Sequence, residues 1–143
     1  MENSSHYIFL PLLLQVLLTL TLFIYLAIAK SRSVKQGTVD LQRRALHGDA
    51  WPESVQQVNN SIRNQFEVPV LFYVLVIVLY LLQSVSLLTL VLAWLFAISR
   101  LLHAYIHIGS NHVPYRRSVF TFGCLVLIAM LLQATYTLVT SGV

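Results

Sequence analysis

Four long apolar segments constrain this chain more than any other feature of its sequence. They lie at about Tyr7–Ala29, Asn60–Leu82, Leu87–Ile108 and Ser118–Val139, and each has about the 20 residues that a helix needs to cross a bilayer. Only 10% of the residues are charged, whereas a soluble domain typically has about 25%. The sequence therefore predicts one all-α integral membrane domain over residues 1–143, a four-transmembrane-helix bundle with up-down-up-down topology.

The distribution of Lys and Arg predicts how the four helices are oriented. All nine lie in or beside the long first connection (30–58) or near the third connection, and the second connection (83–86) carries no charge. Because basic loops stay in the cytoplasm, the first and third connections are predicted to be cytoplasmic and both termini outside. Lys30, Arg32 and Lys35 directly follow the first span, which favours a retained helix over a cleaved signal peptide.

Two sets of polar residues repeat at helical spacing. The second span has four at i, i+3, i+4 and i+7: Asn60, Arg63, Asn64 and Glu67. The third has four at i, i+3, i+7 and i+11: Arg100, His103, His107 and Asn111. Each set shares one helix face. A charge at the centre of a membrane helix costs about 2.5 to 3.5 kcal/mol, so such side chains face protein or water. We therefore predict a polar crevice between these helices, open to the cytoplasm.

The charges in these sets have two interpretations. Glu67 and Arg100 could form an intramembrane ion pair that orients two helices. Alternatively they belong to one binding pocket, which also accounts for Asn64, since helix association alone would not require it. Arginines near the mouth of the crevice suit carboxylates and phosphates. Arg116 could instead be a topogenic charge that contacts anionic lipid.

His103 and His107 are four residues apart, a spacing at which two imidazoles can bind one metal or haem. The sequence lacks the adjoining Glu of a zinc peptidase helix and any other dense ligand cluster. We predict no metal site and expect these imidazoles to form hydrogen bonds in the crevice. The single cysteine, Cys124, lies among apolar residues and is expected to pack.

Three short runs resemble the MAPEG family, membrane-associated proteins in eicosanoid and glutathione metabolism. The run RNQFEVPVLFY, which begins at Arg63, is similar to the family's second-helix signature. The runs RLLH at Arg100 and RSV at Arg117 are similar to its third-helix and fourth-helix motifs. The resemblance covers four spans and most of residues 59–122, and it points to a bacterial-type member in the inner membrane. No sorting signal in the sequence distinguishes that membrane from the endoplasmic reticulum.

The resemblance implies a homotrimer that binds glutathione as a co-substrate at the cytoplasmic half of each subunit interface. It implies a transferase or peroxidase that acts on a lipophilic electrophile or hydroperoxide from the bilayer, in contact with membrane lipid and without nucleic acid. It gives Arg117 the role of stabilising the glutathione thiolate and implicates Ser118 beside it. The glutathione-binding positions that it implies are Asn60, Arg63, Asn64, Glu67, Arg100, His103 and His107.

The chemistry of glutathione fits this assignment. The tripeptide carries two carboxylates and one ammonium, so it requires several guanidinium donors and at least one acid. A thiol with a pKa of about 8.5 is mostly protonated at neutral pH, and a nearby guanidinium stabilises the thiolate nucleophile.

Departures from the family pattern leave the activity open. Thr121 and His107 stand where some members have Tyr, and Asn60 stands where some have Arg. The alternative is a non-catalytic relative that binds a lipid or a protein partner. A small channel or transporter subunit is a third hypothesis, although the apolar outer halves of helices two and three argue for a dead-end cavity.

Overall fold

The structure is a computed structural model that describes residues 2–140, and those residues form helices and loops without any strand. A short 3₁₀ segment, Glu2–Ile8, leads into α1. The five α-helices are α1 (Phe9–Lys35), α2 (Glu53–Gln65), α3 (Val68–Leu81), α4 (Leu87–Ile108) and α5 (Val113–Thr140). The connection between α1 and α2 covers residues 36–52 and is called loop one below. Residue 1 and residues 141–143 of the predicted domain lie outside the described residues.

Four helical stretches are long and apolar enough to cross a membrane, and α2 with α3 forms the second of them. Their bounds are Ser5–Lys35, Glu53–Leu81, Leu87–Ile108 and Val113–Thr140. The predicted all-α membrane bundle of four spans is therefore confirmed. The helices α4 and α5 pack against each other most extensively, while α1 contacts α2 and α4, and α3 contacts α5. Many large apolar side chains along the helices are exposed on the outside of the bundle, as in a protein surrounded by lipid.

The second span is broken near its middle. Helix α2 ends at Gln65, Glu67 has a non-helical backbone (φ −99°, ψ −103°), and α3 begins at Val68. Pro69 lies in the first turn of α3, where its missing N–H costs no helical hydrogen bond. The break places Glu67 between two helices rather than on a continuous helical face.

A buried amide pair fixes the break against the first helix. The Nε2 group of Gln15 donates to Oε1 of Gln65 at 2.6 Å, and Nε2 of Gln65 donates to the carbonyl of Ser61 at 3.2 Å. Gln15 and Gln65 are each 1% exposed. Because an unsatisfied polar group is costly in hydrocarbon, this contact holds α1 and the end of α2 in one arrangement.

Two apolar clusters fill the bundle, one at each end. The cluster at the end that carries the α3–α4 connection (82–86) includes Phe72 stacked on Phe96, with ring centroids 4.5 Å apart. The other cluster joins α1, α2 and α4 and includes Leu22, Val58 and Ala104. We call the end that carries loop one and the α4–α5 connection the basic end. The predicted site residues lie toward this end.

Candidate functional site

The structure divides the predicted site residues into two groups by burial. Five of them are exposed on the surface of the bundle: Asn60, Arg63, Glu67, Arg117 and Ser118. Three of them are buried inside it: Arg100, His103 and His107. Asn64 is half-buried and lies between the groups. The outer group comes from α2, the break and α5, and the inner group comes from α4.

The outer group on α2 makes few contacts within the chain. The side chain of Asn64 donates to the carbonyl of Asn60 at 3.0 Å, one turn earlier on the same helix. Arg63 and Glu67 form no side-chain hydrogen bond or ion pair within the described residues. Glu67 lies near the middle of the stretch Glu53–Leu81, so an exposed carboxylate occurs at a position where lipid would otherwise surround the helix.

The outer group on α5 lies in the first two turns of that helix. The hydroxyl of Ser118 donates to the carbonyl of Pro114 at 3.0 Å. The guanidinium of Arg117 makes no hydrogen bond or ion pair with any described residue, and its side chain is exposed. Arg117 is therefore available to a ligand or to a neighbouring molecule.

The inner group forms a polar column within the bundle. Arg100 is 1% exposed, and its Nη2 group donates to the carbonyl of Asn64 at 3.3 Å. Its Nε and Nη1 groups have no hydrogen-bond partner, and the guanidinium lies 5.6 Å from the ring of Phe120. The rings of His103 and His107 lie edge to face with centroids 5.7 Å apart. Arg100 thus carries a buried positive charge that forms no ion pair with an acid in the described part of the chain.

Arg116 closes this column at the basic end. Its Nη1 group donates to Oδ1 of Asn111 and to Nε2 of His107, the latter at 3.4 Å. Arginine is a donor only, so Nε2 of His107 accepts in this contact. Arg116 therefore has a structural contact inside the chain in addition to its contribution to the positive charge of this end.

The hypothesis of an ion pair between Glu67 and Arg100 is wrong within a single chain. The described residues contain one ion pair, Arg43 with Asp49, whereas Glu67 is exposed and Arg100 is buried. The predicted crevice between the two polar faces is also not formed within one chain. The face of α4 that carries Arg100 points into the bundle, whereas Asn60 and Arg63 on α2 and Glu67 in the break are exposed.

A cavity of about 370 Å³ lies at the basic end, between the end of α1, loop one and α2. Asn60 and Arg63 are the predicted site residues that line it. The other polar residues lining it come from the end of α1, from loop one and from α2: Lys30, Arg44, His47, Asp49, Gln56 and Asn59.

Contacts of Trp51 and Asp49 fold loop one on itself, and Lys30 joins the loop to the end of α1. The indole Nε1 of Trp51 donates to the carbonyl of Arg44 at 3.2 Å, and Lys30 lies 5.0 Å above the indole ring. Arg43 donates to Asp49 at 2.8 Å and holds the pKa of this carboxyl below its usual value. Their attraction is therefore present at neutral pH and is lost only as the pH falls through that lowered pKa.

This cavity was not predicted from the sequence. The Lys and Arg residues of the first connection indicate the orientation of the helices, and their spacing along the sequence does not bring them to one cavity. Arg43 and Asp49 are six residues apart in a loop. Helical periodicity does not interpret this spacing, so their contact was not predicted either.

The described residues contain no group of three His, Cys, Asp or Glu side chains that could hold a metal ion. Cys124 is a half-buried free thiol on α5.

A family model described as the MAPEG family matches residues 8–136, which is nearly the whole chain and includes every predicted site residue. A search of curated proteins and a search of solved structures each gave no match.

Proposed function

Because this chain belongs to the MAPEG family, we propose that it is a membrane-bound glutathione-dependent transferase or peroxidase. It is an integral, multi-pass protein of a family whose members work in glutathione-related metabolism and are generally oligomeric. In the proposal it is a homotrimer in a bacterial inner membrane, with the basic end in the cytoplasm. Its second substrate is a lipophilic electrophile or hydroperoxide that enters from the bilayer.

One observation carries the proposal: two charged side chains are exposed within helical stretches that are long and apolar enough to cross a membrane. Glu67 and Arg117 are exposed and form no hydrogen bond or ion pair within the described chain. An uncompensated charge facing lipid costs about 2.5 to 3.5 kcal/mol near the centre of a membrane helix. A neighbouring subunit that covers this surface, together with a zwitterionic ligand, removes that cost.

Glutathione fits the residues of the outer group. Glu67 is the acid that its ammonium requires, Arg63 is a donor for a carboxylate, and Arg117 stabilises the thiolate. The buried residues of the inner group do not reach this surface, and their role in the proposal is indirect. Arg100 holds the carbonyl of Asn64, and through it the end of α2, so we propose that Arg100 positions the α2 ligands.

Replacement of Arg117 tests whether its guanidinium stabilises the glutathione thiolate. We expect glutathione to raise the unfolding temperature of the purified protein, since a ligand of the native state stabilises it by RT ln(1 + [L]/Kd). Bound glutathione should also produce the ultraviolet absorbance of a thiolate. In Arg117→Gln the thiolate absorbance should be lost, while a shift in unfolding temperature remains. Arg32→Gln, at an exposed position at the end of α1, is the matched control and should keep both signals.

The absence of any unfolding-temperature shift at millimolar glutathione would reject glutathione as the ligand. A thiolate signal that persists in Arg117→Gln would reject the role of Arg117 and retain glutathione binding.

A non-catalytic relative is the second candidate, and the burial of His107 favours it. This position, which carries Tyr in some members, is 5% exposed and accepts a hydrogen bond from Arg116. It therefore offers no acidic group to the bundle surface. Saturable binding of a lipophilic ligand without conjugate or peroxide turnover, measured by chromatography with a panel of electrophiles, would select this candidate.

A further inference from the structure

The cavity at loop one carries a strong excess of positive charge. Lys30, Arg44 and Arg63 line it together with His47, and the acid among its lining residues is Asp49. Asp49 is already engaged by Arg43, whose guanidinium contacts it at 2.8 Å. A ligand in this cavity would therefore meet several cations and no unpaired acid.

This charge pattern favours a purely anionic group over a zwitterion. An amino acid or peptide would bring an ammonium that needs a carboxylate, and neither Glu67 nor Arg117 lines the cavity. A phosphate, by contrast, accepts several charge-assisted hydrogen bonds from Lys and Arg at once. The amides of Gln56 and Asn59 add neutral donors to the same cavity.

The rim of the cavity is apolar and lies at the end of a membrane span. Leu46 lines it and is 90% exposed, and the half-buried indole of Trp51 forms part of its wall. Trp is typical of the headgroup region of a bilayer. Lys30 lies over this indole and directly follows the apolar part of α1. A ligand here can keep an anionic group in the cavity and an apolar group against the rim.

We propose that this cavity binds the phosphate of an anionic amphiphile, and specifically the headgroup of an anionic phospholipid. A soluble phosphate ester has the same chemistry and is distinguished by the experiment. The proposal does not depend on glutathione binding, although Asn60 and Arg63 belong to both sites. The bound lipid would fasten loop one to the membrane surface beside the outer residues of α2.

The experiment measures lipid binding to the full chain in a neutral detergent by native mass spectrometry. Phosphatidylglycerol is titrated in one arm, phosphatidylcholine of the same chain length in a second, and glycerol phosphate in a third. The test variant is Lys30→Gln/Arg44→Gln, and Arg44→Gln alone is a milder second variant. Trp51 contacts the main chain of Arg44, so the latter substitution leaves that hydrogen bond in place. The matched control is Arg32→Gln/Lys35→Gln, which removes two exposed charges from the same helix end outside the cavity.

A basic residue at a membrane surface contributes roughly a five-fold factor in affinity for anionic lipid. We expect phosphatidylglycerol to bind more tightly than phosphatidylcholine, with about 25-fold weaker binding in the double test variant and about five-fold in the single one. The control should stay within about two-fold of the parent protein. Saturable binding of glycerol phosphate that is lost in the same variants would support the phosphate site and assign it to a soluble ester.

Equal weakening in the control would overturn the proposal, because it would indicate diffuse attraction to the whole basic end. Equal affinity for the two lipids without binding of glycerol phosphate would also overturn it. Neither result changes the expected outcome of the glutathione titration, which compares the parent protein with Arg117→Gln.

Discussion

Arg100 is the residue at which we expect the proposed function and the stability of the fold to make opposite demands. Its guanidinium is 1% exposed, two of its nitrogen groups have no hydrogen-bond partner, and no acid pairs with it in the described chain. Replacing a whole buried ion pair by apolar residues of similar volume is often neutral or stabilising by about 1 to 4 kcal/mol, and Arg100 has no ion-pair partner in the described chain that its removal would leave unpaired. We therefore expect Arg100→Met to unfold at the same temperature as the parent protein or higher, yet to lose the stabilisation by glutathione.

Unfolding of Arg100→Met in detergent, with and without glutathione, measures both effects. Met130→Ala is the control for sensitivity, because truncating this fully buried side chain should cost about 2 to 5 kcal/mol. A loss of about 3 to 5 kcal/mol in Arg100→Met itself would contradict the prediction and would indicate an acidic partner on a neighbouring subunit.

At the scale of elements, helical periodicity predicted which residues share a face but not where each face points. The spacing of Asn60 and Glu67 and that of Arg100 and His107 are equally regular. The structure turns the first face outward and the second inward. The rotation of a helix in a bundle depends on packing with its neighbours, as in the contact of Gln65 with α1, and one chain's sequence does not encode this locally.

The break between α2 and α3 separates Glu67 from the polar face of α2. In Pro69→Ala, residue 69 gains an N–H, so we expect one continuous helix in which Glu67 rotates and the affinity for glutathione falls about ten-fold. Spin labels at Gln57 and Ile77 should move apart toward the roughly 30 Å that 20 residues span in a straight helix. Pro11→Ala, a substitution of the same type in α1, should change neither measurement. An unchanged distance in Pro69→Ala would show that the contacts of Gln65, rather than Pro69, maintain the break.

For the whole molecule, the sequence predicted the number of spans and the fold class because both follow from length and composition. It did not predict the cavity at loop one, which arises where Lys30, Arg44 and Arg63 meet from three separate segments. It also suggested one crevice within the chain, whereas the structure puts Glu67 and Arg117 on the outer surface. The family resemblance, rather than these patterns, implied a site at a subunit interface, and in the proposed function a second copy completes the site.

Mixed oligomers test whether the site crosses subunits. Glu67→Gln and Arg117→Gln should each abolish thiolate formation when expressed alone. If each site combines Glu67 of one subunit with Arg117 of the next, then random mixing of the two variants restores about one quarter of the sites, because an intact site needs one subunit of each kind in the correct order. The measurement is thiolate absorbance per subunit in co-purified mixtures with two different affinity tags. A mixture prepared by combining the separately purified variants after assembly is the control and should show no recovery. No recovery in the co-expressed mixture would place both residues of a site on the same chain.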